Sequence, residues 1–207
     1  MKKIIIATGN AGKVKEFREI FDGLDIDIEL TCLADHFTPL PNIIENGSTF
    51  YENAKIKADW VYEHTNGIWS LADDSGLEVD ALHGAPGVIS AIYAGDKATS
   101  ADNNAKLLRE LADVPPILRS ARFKCVLVLK TGPDTYHTAE GTCSGKIISE
   151  AAGDKGFGYD PLFIPHGFAQ TFAQISSEDK NRISHRGIAI RNLCANPVMM
   201  GHRLKVL

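Results

Sequence analysis

The sequence predicts an α/β fold, and three observations carry that expectation. Lys2 to Ala7 is an apolar, β-branched run; Thr8-Gly9-Asn10-Ala11-Gly12 breaks it; Val14, Phe17, Ile20 and Phe21 then recur at helical spacing. The chain therefore opens as strand, glycine-rich turn and helix, which is how α/β domains begin. The middle of the chain is rich in strand patterns, and the last third closes on a helix from near Ser184 to about Asn196.

The elements follow in order. Ile26 to Thr31 alternates apolar with acidic or polar residues and predicts a half-exposed second strand. Thr38-Pro39-Leu40-Pro41 is a loop. Ser48-Thr49 with Glu52 is a helix start, because a hydroxyl caps and the Glu returns the bond. That helix runs to about His64 and stops at Asn66-Gly67. Ile68 to Ala72 predicts a short strand ending at Asp73-Asp74-Ser75-Gly76, with a separate strand through Leu77, Val79 and Ala81. Gly84-Ala85-Pro86-Gly87 is a turn, and Ser100 to Leu111 a helix. Ala121 to Leu129 and Thr135 to Cys143 flank Gly132-Pro133-Asp134 as a hairpin, and Gly153 to Pro161 is a glycine-rich loop.

Composition narrows the function classes. The chain has 207 residues, 44% hydrophobic and 23% charged, which excludes a disordered or fibrous protein. A net charge of −4 argues against a surface built to grip nucleic acid, though not against a local anion site. No apolar run approaches the ~20 residues of a membrane span. The apolar stretch after Met1-Lys2-Lys3 is too short for a signal peptide. Cys32, Cys125, Cys143 and Cys194 form no CxxC pair and read as reduced thiols, so a cytoplasmic location is expected.

Four segments carry candidate chemistry. Thr8-Gly9-Asn10-Ala11-Gly12-Lys13 can present backbone amides, a helix dipole and one full positive charge to an anion. It is not a Walker loop, and a plain strand-to-helix turn is the alternative. Asp73-Asp74-Ser75-Gly76 offers paired carboxylates to a hard cation such as magnesium, or makes an ordinary Asx turn. Gly156-Phe157-Gly158-Tyr159-Asp160-Pro161 offers an aromatic contact and an acceptor for a base edge, or a buried aromatic corner. Lys180, His185 and Arg186 form a cationic cluster, or line a solvated helix face. His36, His64, His83, His137, His166 and His202 are scattered without ligand spacing. An anion loop, a carboxylate pair, an aromatic pocket and a cationic cluster together are what a magnesium-dependent nucleotide-phosphate enzyme needs.

Those four ordered motifs resemble the inosine/xanthosine triphosphate pyrophosphatase family over essentially the whole chain, from Ile4-Ile5-Ile6-Ala7-Thr8-Gly9-Asn10 to Ile183-Ser184-His185-Arg186-Gly187. The resemblance implies an ITPase-like fold: a long mixed β-sheet with flanking helices forming two lobes around a central cleft, residues 1–207 making a single two-lobed domain. It implies a homodimer that hydrolyses ITP, dITP and XTP to the monophosphate and pyrophosphate with Mg2+. Substrate contacts then fall on Thr8, Gly9, Asn10, Ala11, Gly12, Lys13, Ser75, Phe157, Gly158, Tyr159, Asp160, Lys180, His185 and Arg186. Asp74 and Lys13 take the catalytic roles, and Glu45 and Asp74 hold the metal. Where many bacterial members read Ser-Ala-Arg-Tyr, this chain has Ser90-Ala91-Ile92-Tyr93 and lacks that arginine. Two rival readings are a pyrophosphatase for another modified or standard nucleotide, and an inactive nucleotide-binding regulator.

Overall fold

The computed structural model describes residues 1–24 and 26–200; His202 lies outside them. In chain order the elements are β1 (Lys2–Ile6), α1 (Ala11–Asp22), β2 (Ile28–Cys32), α2 (Phe50–His64), β3 (Trp69–Val79), α3 (Ser100–Glu110), β4 (Ser120–Gly132), β5 (Thr135–Ile147), β6 (Phe163–Pro165), α4 (Ser177–Ile183), α5 (His185–Cys194) and α6 (Pro197–Met200). The strands form one mixed six-stranded sheet in the order β2-β1-β3-β4-β5-β6. β1 runs parallel to both neighbours, and β5 and β6 are antiparallel.

Two compact units divide the chain. The first holds 1–74, 125–141 and 187 onward, the second 75–124 and 142–186. In the first, strand alternation sorts the core into two layers. Ile4 and Ile6 of β1, Leu71 of β3 and Leu127 and Leu129 of β4 pack with Phe17, Ile20 and Phe21 of α1 and with Ile190 and Leu193 of α5. Ile5, Ala7, Ala72 and Val128 face the other way, onto Ala54, Ala58 and Val61 of α2. A strand buried on both faces reads as a continuous apolar run, which is why β1 is legible in the sequence. In the second unit Leu77, Phe123, Cys143 and Phe163 pack with Leu107 and Leu111. Phe163 meets Phe123 edge-on, at 4.8 Å and 70°.

The predicted elements are present, with two corrections. Asp73-Asp74-Ser75-Gly76 does not end a strand: β3 runs unbroken from Trp69 to Val79 through it. The composition is that of a turn, but ladder pairing and burial override local preference. The acidic stretch before the terminal helix is a helix of its own, α4, whose N-cap Ser176 accepts the Asp179 N–H at 3.0 Å. Ser184 closes α4, and α5 starts afresh at His185. Among the described residues no helix is long and apolar enough to cross a membrane.

Candidate active site

The continuity of β3 decides where its two aspartates go. Successive side chains on a strand point to opposite faces. Leu71 lies in the α1 layer and Ala72 in the α2 layer, so Asp73 follows Leu71 and Asp74 follows Ala72. Asp73 is fully buried, and its Oδ2 meets Lys13 Nζ of α1 at 3.0 Å. Asp74, 8% exposed, meets α2 instead: its Oδ2 accepts from Asn53 Nδ2 at 3.2 Å, and Lys57 Nζ lies 3.7 Å from its Oδ1.

Lys13 is held by its own helix start. Asn10 caps α1, its Oδ1 accepting the Lys13 N–H at 3.1 Å, and Thr8 Oγ1 accepts the Asn10 N–H at 3.2 Å. Thr8, Gly9 and Asn10 form the turn, Ala11 and Gly12 the first turn of the helix. Gly9, Asn10 and Ala11 are exposed. The first helical amides beyond the cap and the positive end of the dipole therefore remain open to an anion.

Glu45 completes the group through Lys57, whose Nζ also sits 2.5 Å from Glu45 Oε2. The loop carrying Glu45 is tied to the same helix, Gly47 N–H donating to Asn53 Oδ1 at 2.8 Å. A Cβ on Gly47 would lie 2.6 Å from Glu52 Cβ, so only glycine lets the loop approach this closely. Asn53 thus holds the Glu45 loop with one end of its amide and Asp74 with the other.

Burial pushes the Asp74 carboxyl above its ordinary pKa. Lys57 and Lys13 oppose the shift, and Asp73 and Glu45 reinforce it. Lys57 shifts the opposite way from what its burial demands: desolvation favours the neutral amine, but Asp74, Asp73 and Glu45 outweigh it and raise its pKa. The group holds three carboxylates and two ammonium ions, with Lys57 charged and wedged between two of the acids.

The donor set fits a hard divalent cation. Glu45 and Asp74 share one positive charge, so both converge on a single cation position. Among the described residues no three or more His, Cys, Asp or Glu side chains form a metal cage. Magnesium suits such a site, since it takes one or two carboxylates and completes its shell with water and phosphate.

The second unit builds a different group around the loop 156–160. Asp160 is buried, and its Oδ2 accepts the Phe157 N–H at 2.9 Å and the Lys180 ammonium at 2.5 Å. The carboxylate expected to accept from a base edge therefore closes its own loop. Gly156 has φ +73°, and a Cβ there would sit 2.0 Å from Asp160 Oδ2. Lys180 lies 5.0 Å from the centroid of Phe157 and Arg186 Cζ 5.9 Å, so the ring is flanked by cations. Tyr159 takes the buried-corner alternative, its hydroxyl donating to Ser90 O at 2.9 Å, and Asn104 Nδ2 donates to Gly158 O at 3.1 Å. His185 stacks on Phe123 at 4.8 Å and 12°. Arg186, 1% exposed, donates from Nη2 to Ser75 Oγ at 2.9 Å.

Residues 4–196 match the profile of the Ham1 family. The chain belongs to the Ham1 family. Among curated Ham1-like relatives, the dITP/XTP pyrophosphatase of Oceanobacillus iheyensis is 48% identical over 93% of this chain and 96% of its own. That of Desulfotalea psychrophila is 51% identical over 93% and 83%. The Ham1 protein of Staphylococcus aureus superposes with a TM-score of 0.82 at 39% identity, over 98% of this chain and 100% of that one. A Mycobacterium abscessus structure titled nucleoside-triphosphatase / dITP/XTP pyrophosphatase gives a TM-score of 0.73, also at 39% identity, over 94% and 100%.

Sequence reasoning missed Lys57 and Asn53. A signal was there. Phe50, Asn53, Ala54, Lys57, Ala58 and Val61 form the buried stripe of α2 at helical spacing. An amide and an ammonium inside an apolar stripe need buried partners.

Proposed function

We propose that this Ham1-family chain hydrolyses non-standard purine nucleoside triphosphates (dITP, XTP and ITP) to the monophosphate and pyrophosphate. The names of its relatives support the substrate class. The observation that carries the chemistry is the buried Asp74, with Lys57 3.7 Å from its carboxylate and Lys13 paired to the adjacent Asp73.

Attack between the α and β phosphates needs a positioned water and neutralisation of the leaving pyrophosphate. Asp74, its carboxyl raised by burial, is suited to orient and deprotonate that water. Lys13, Lys57 and the open amides after Asn10 supply charge and donors to the triphosphate. Glu45 and Asp74 would hold magnesium, which neutralises charge on the phosphate oxygens when bound. Phe157 offers a face that any purine can stack on, while Arg186 and His185 are the donors for a 6-oxo group. Guanidinium against adenine's 6-amino group would leave two donors facing each other, so adenine is disfavoured.

A homodimer and a cytoplasmic location complete the proposal. The exposed Ile89, Ile92, Ile117 and Leu118 give the second unit apolar surface for a subunit contact. Light scattering on the purified chain tests the dimer. The decisive assay is pyrophosphate release across dITP, XTP, ITP, GTP and ATP. Hydrolysis fastest with the first three supports the reading. Equal turnover of GTP or ATP points to a standard nucleotide as substrate, and binding without release points to a regulator.

A further inference from the structure

Lys57 has a position that phosphate binding alone does not explain. A side chain used only for the triphosphate would extend from α2 toward that anion. Its ammonium instead lies 2.5 Å from Glu45 Oε2 and 3.7 Å from Asp74 Oδ1, the two acids assigned to the metal. It is buried, and the two carboxylates it meets are themselves held in place. Asn53 fixes the Asp74 carboxylate from one side and, through Gly47, the Glu45 loop from the other. Lys57 Nζ therefore occupies the place where a cation bridging Glu45 and Asp74 would sit. A divalent ion and an ammonium cannot share that place, because like charges a few ångströms apart in a buried setting repel strongly.

We propose that Lys57 is a placeholder cation: it neutralises Glu45 and Asp74 until metal and triphosphate arrive together, then yields the acids to the metal and moves its charge to the phosphates. The inference rests on the magnesium reading above and adds to it a coupling. Metal entering alone must push a buried ammonium off both carboxylates and leave it only Asp73, which Lys13 already neutralises at 3.0 Å. Metal entering with a triphosphate supplies the displaced ammonium with a new partner. Glu45, half-exposed on its loop, marks the side from which the exchange can proceed. The consequence is coupled loading. Free divalent ion does not accumulate on the empty enzyme, and a metal-free nucleotide does not find the acids already neutralised by metal.

The test uses Mn2+ as the probe on the full chain. Free Mn2+ is read by its electron paramagnetic resonance signal, with and without an α,β-imido analogue of dITP that cannot be cleaved. In the wild type, once the Mn2+ held by the analogue in protein-free buffer is subtracted, Mn2+ should bind at least about tenfold more tightly with the analogue than without it, as expected for removal of one buried like charge. Lys57→Met should bind Mn2+ without nucleotide at least about tenfold more tightly than the wild type, and most of the coupling should vanish. Lys57→Gln, which keeps length and polarity but not charge, should behave like Lys57→Met. The wild-type comparison stands even if both variants fail to fold: equal Mn2+ affinity with and without analogue overturns the proposal. Tight, nucleotide-dependent Mn2+ binding in the wild type with no gain in either variant also overturns it, while leaving the metal reading intact. Absence of Mn2+ binding in every sample, analogue included, removes the metal reading itself, and the placeholder role with it.

Discussion

Two buried carboxylates, Asp74 in the first unit and Asp160 in the second, sit in opposite kinds of surroundings. Asp160 is tied into its own loop, its Oδ2 taking an ammonium at 2.5 Å and a backbone N–H at 2.9 Å. Asp74 belongs to a group with more acids than bases, its nearest ammonium 3.7 Å away and shared with Glu45. The tightly bonded Asp160–Lys180 pair builds structure. The unbalanced group keeps a carboxylate charged against its environment, which is the condition for binding a cation or taking a proton. Similar residue types thus serve shape in one place and chemistry in the other.

The largest effect should come from Asp74→Asn. The amide keeps the volume and the contact with Asn53 but cannot take a proton. Pyrophosphate release should fall by about 10²–10⁴, as for loss of a general base, while nucleotide binding by calorimetry persists. Stability should move the other way. Burial raises the Asp74 pKa in the folded state, so the charged form opposes folding, fully so above the folded pKa and not at all below the unfolded one. In metal-free buffer at neutral pH the variant should therefore melt higher than the wild type, and the gap should close in acid. Activity within about threefold of wild type would end the contrast between the two aspartates, being far outside the loss a general base entails.

How much of this was legible in the sequence depends on how local the cause is. β1, α1, the capping box of α2 and the β4–β5 hairpin follow from patterns within a few residues. Asp73-Asp74-Ser75-Gly76 misled because a turn composition is local and the ladder that overrides it is not. The resemblance to a known family singled out Asp74, Glu45, Asp160 and Lys180 but not their different partners. The ion pair of Asp160 with Lys180 joins residues 20 apart, and that of Lys57 with Glu45 depends on a loop folding back onto a helix. Lys57 was the readable omission, since its place in the apolar stripe of α2 is a matter of spacing alone.

A second test asks whether Asp160 is as structural as its surroundings suggest. Asp160→Asn leaves the Lys180 ammonium buried beside a neutral amide. Removing one partner of a buried pair costs about 3–5 kcal/mol. In a chain of this size the melting temperature should then drop by about 10 °C. Turnover of the fraction that remains folded should fall mainly through a higher KM, because the loop under Phe157 is loosened while Asp74 is untouched. A variant that melts like the wild type yet loses all turnover would make Asp160 a reactive group.

Selectivity should depend on Arg186 more than on Lys13. Lys13 belongs to the first unit's charged group and has no reason to sense the base, so Lys13→Ala should weaken ITP and ATP alike. Arg186 presents a planar donor fork beside Phe157, 5.9 Å from its ring. Arg186→Ala should cost ITP about 1–3 kcal/mol in kcat/KM and ATP much less. Equal losses for the two substrates would reduce Arg186 to a brace for Ser75, to which it donates at 2.9 Å.

The smallest effect, and the sharpest check on the comparison, is expected from Tyr159→Phe. Tyr159 lies in the loop that faces the base in the proposed function, yet its hydroxyl is turned away, donating to Ser90 O at 2.9 Å. Ser90 is itself bound into the strand system: its Oγ accepts the Leu77 N–H at 2.9 Å and donates to Gly87 O at 2.6 Å. Phenylalanine keeps the ring in the core with Leu162 and Phe172 and removes only that bond. A typical buried hydrogen bond contributes about 1 kcal/mol, so the melting temperature should fall by about 3 °C. The ITP-to-ATP ratio of kcat/KM should stay unchanged, because a bond that stabilises the loop serves every purine equally. The size of the stability loss and the constancy of the ratio are independent readouts. A ratio that moves by tenfold would mean that the hydroxyl leaves Ser90 and reads the base when substrate binds. The second unit would then hold a reactive polar group after all, and its difference from the Asp74 site would be one of degree.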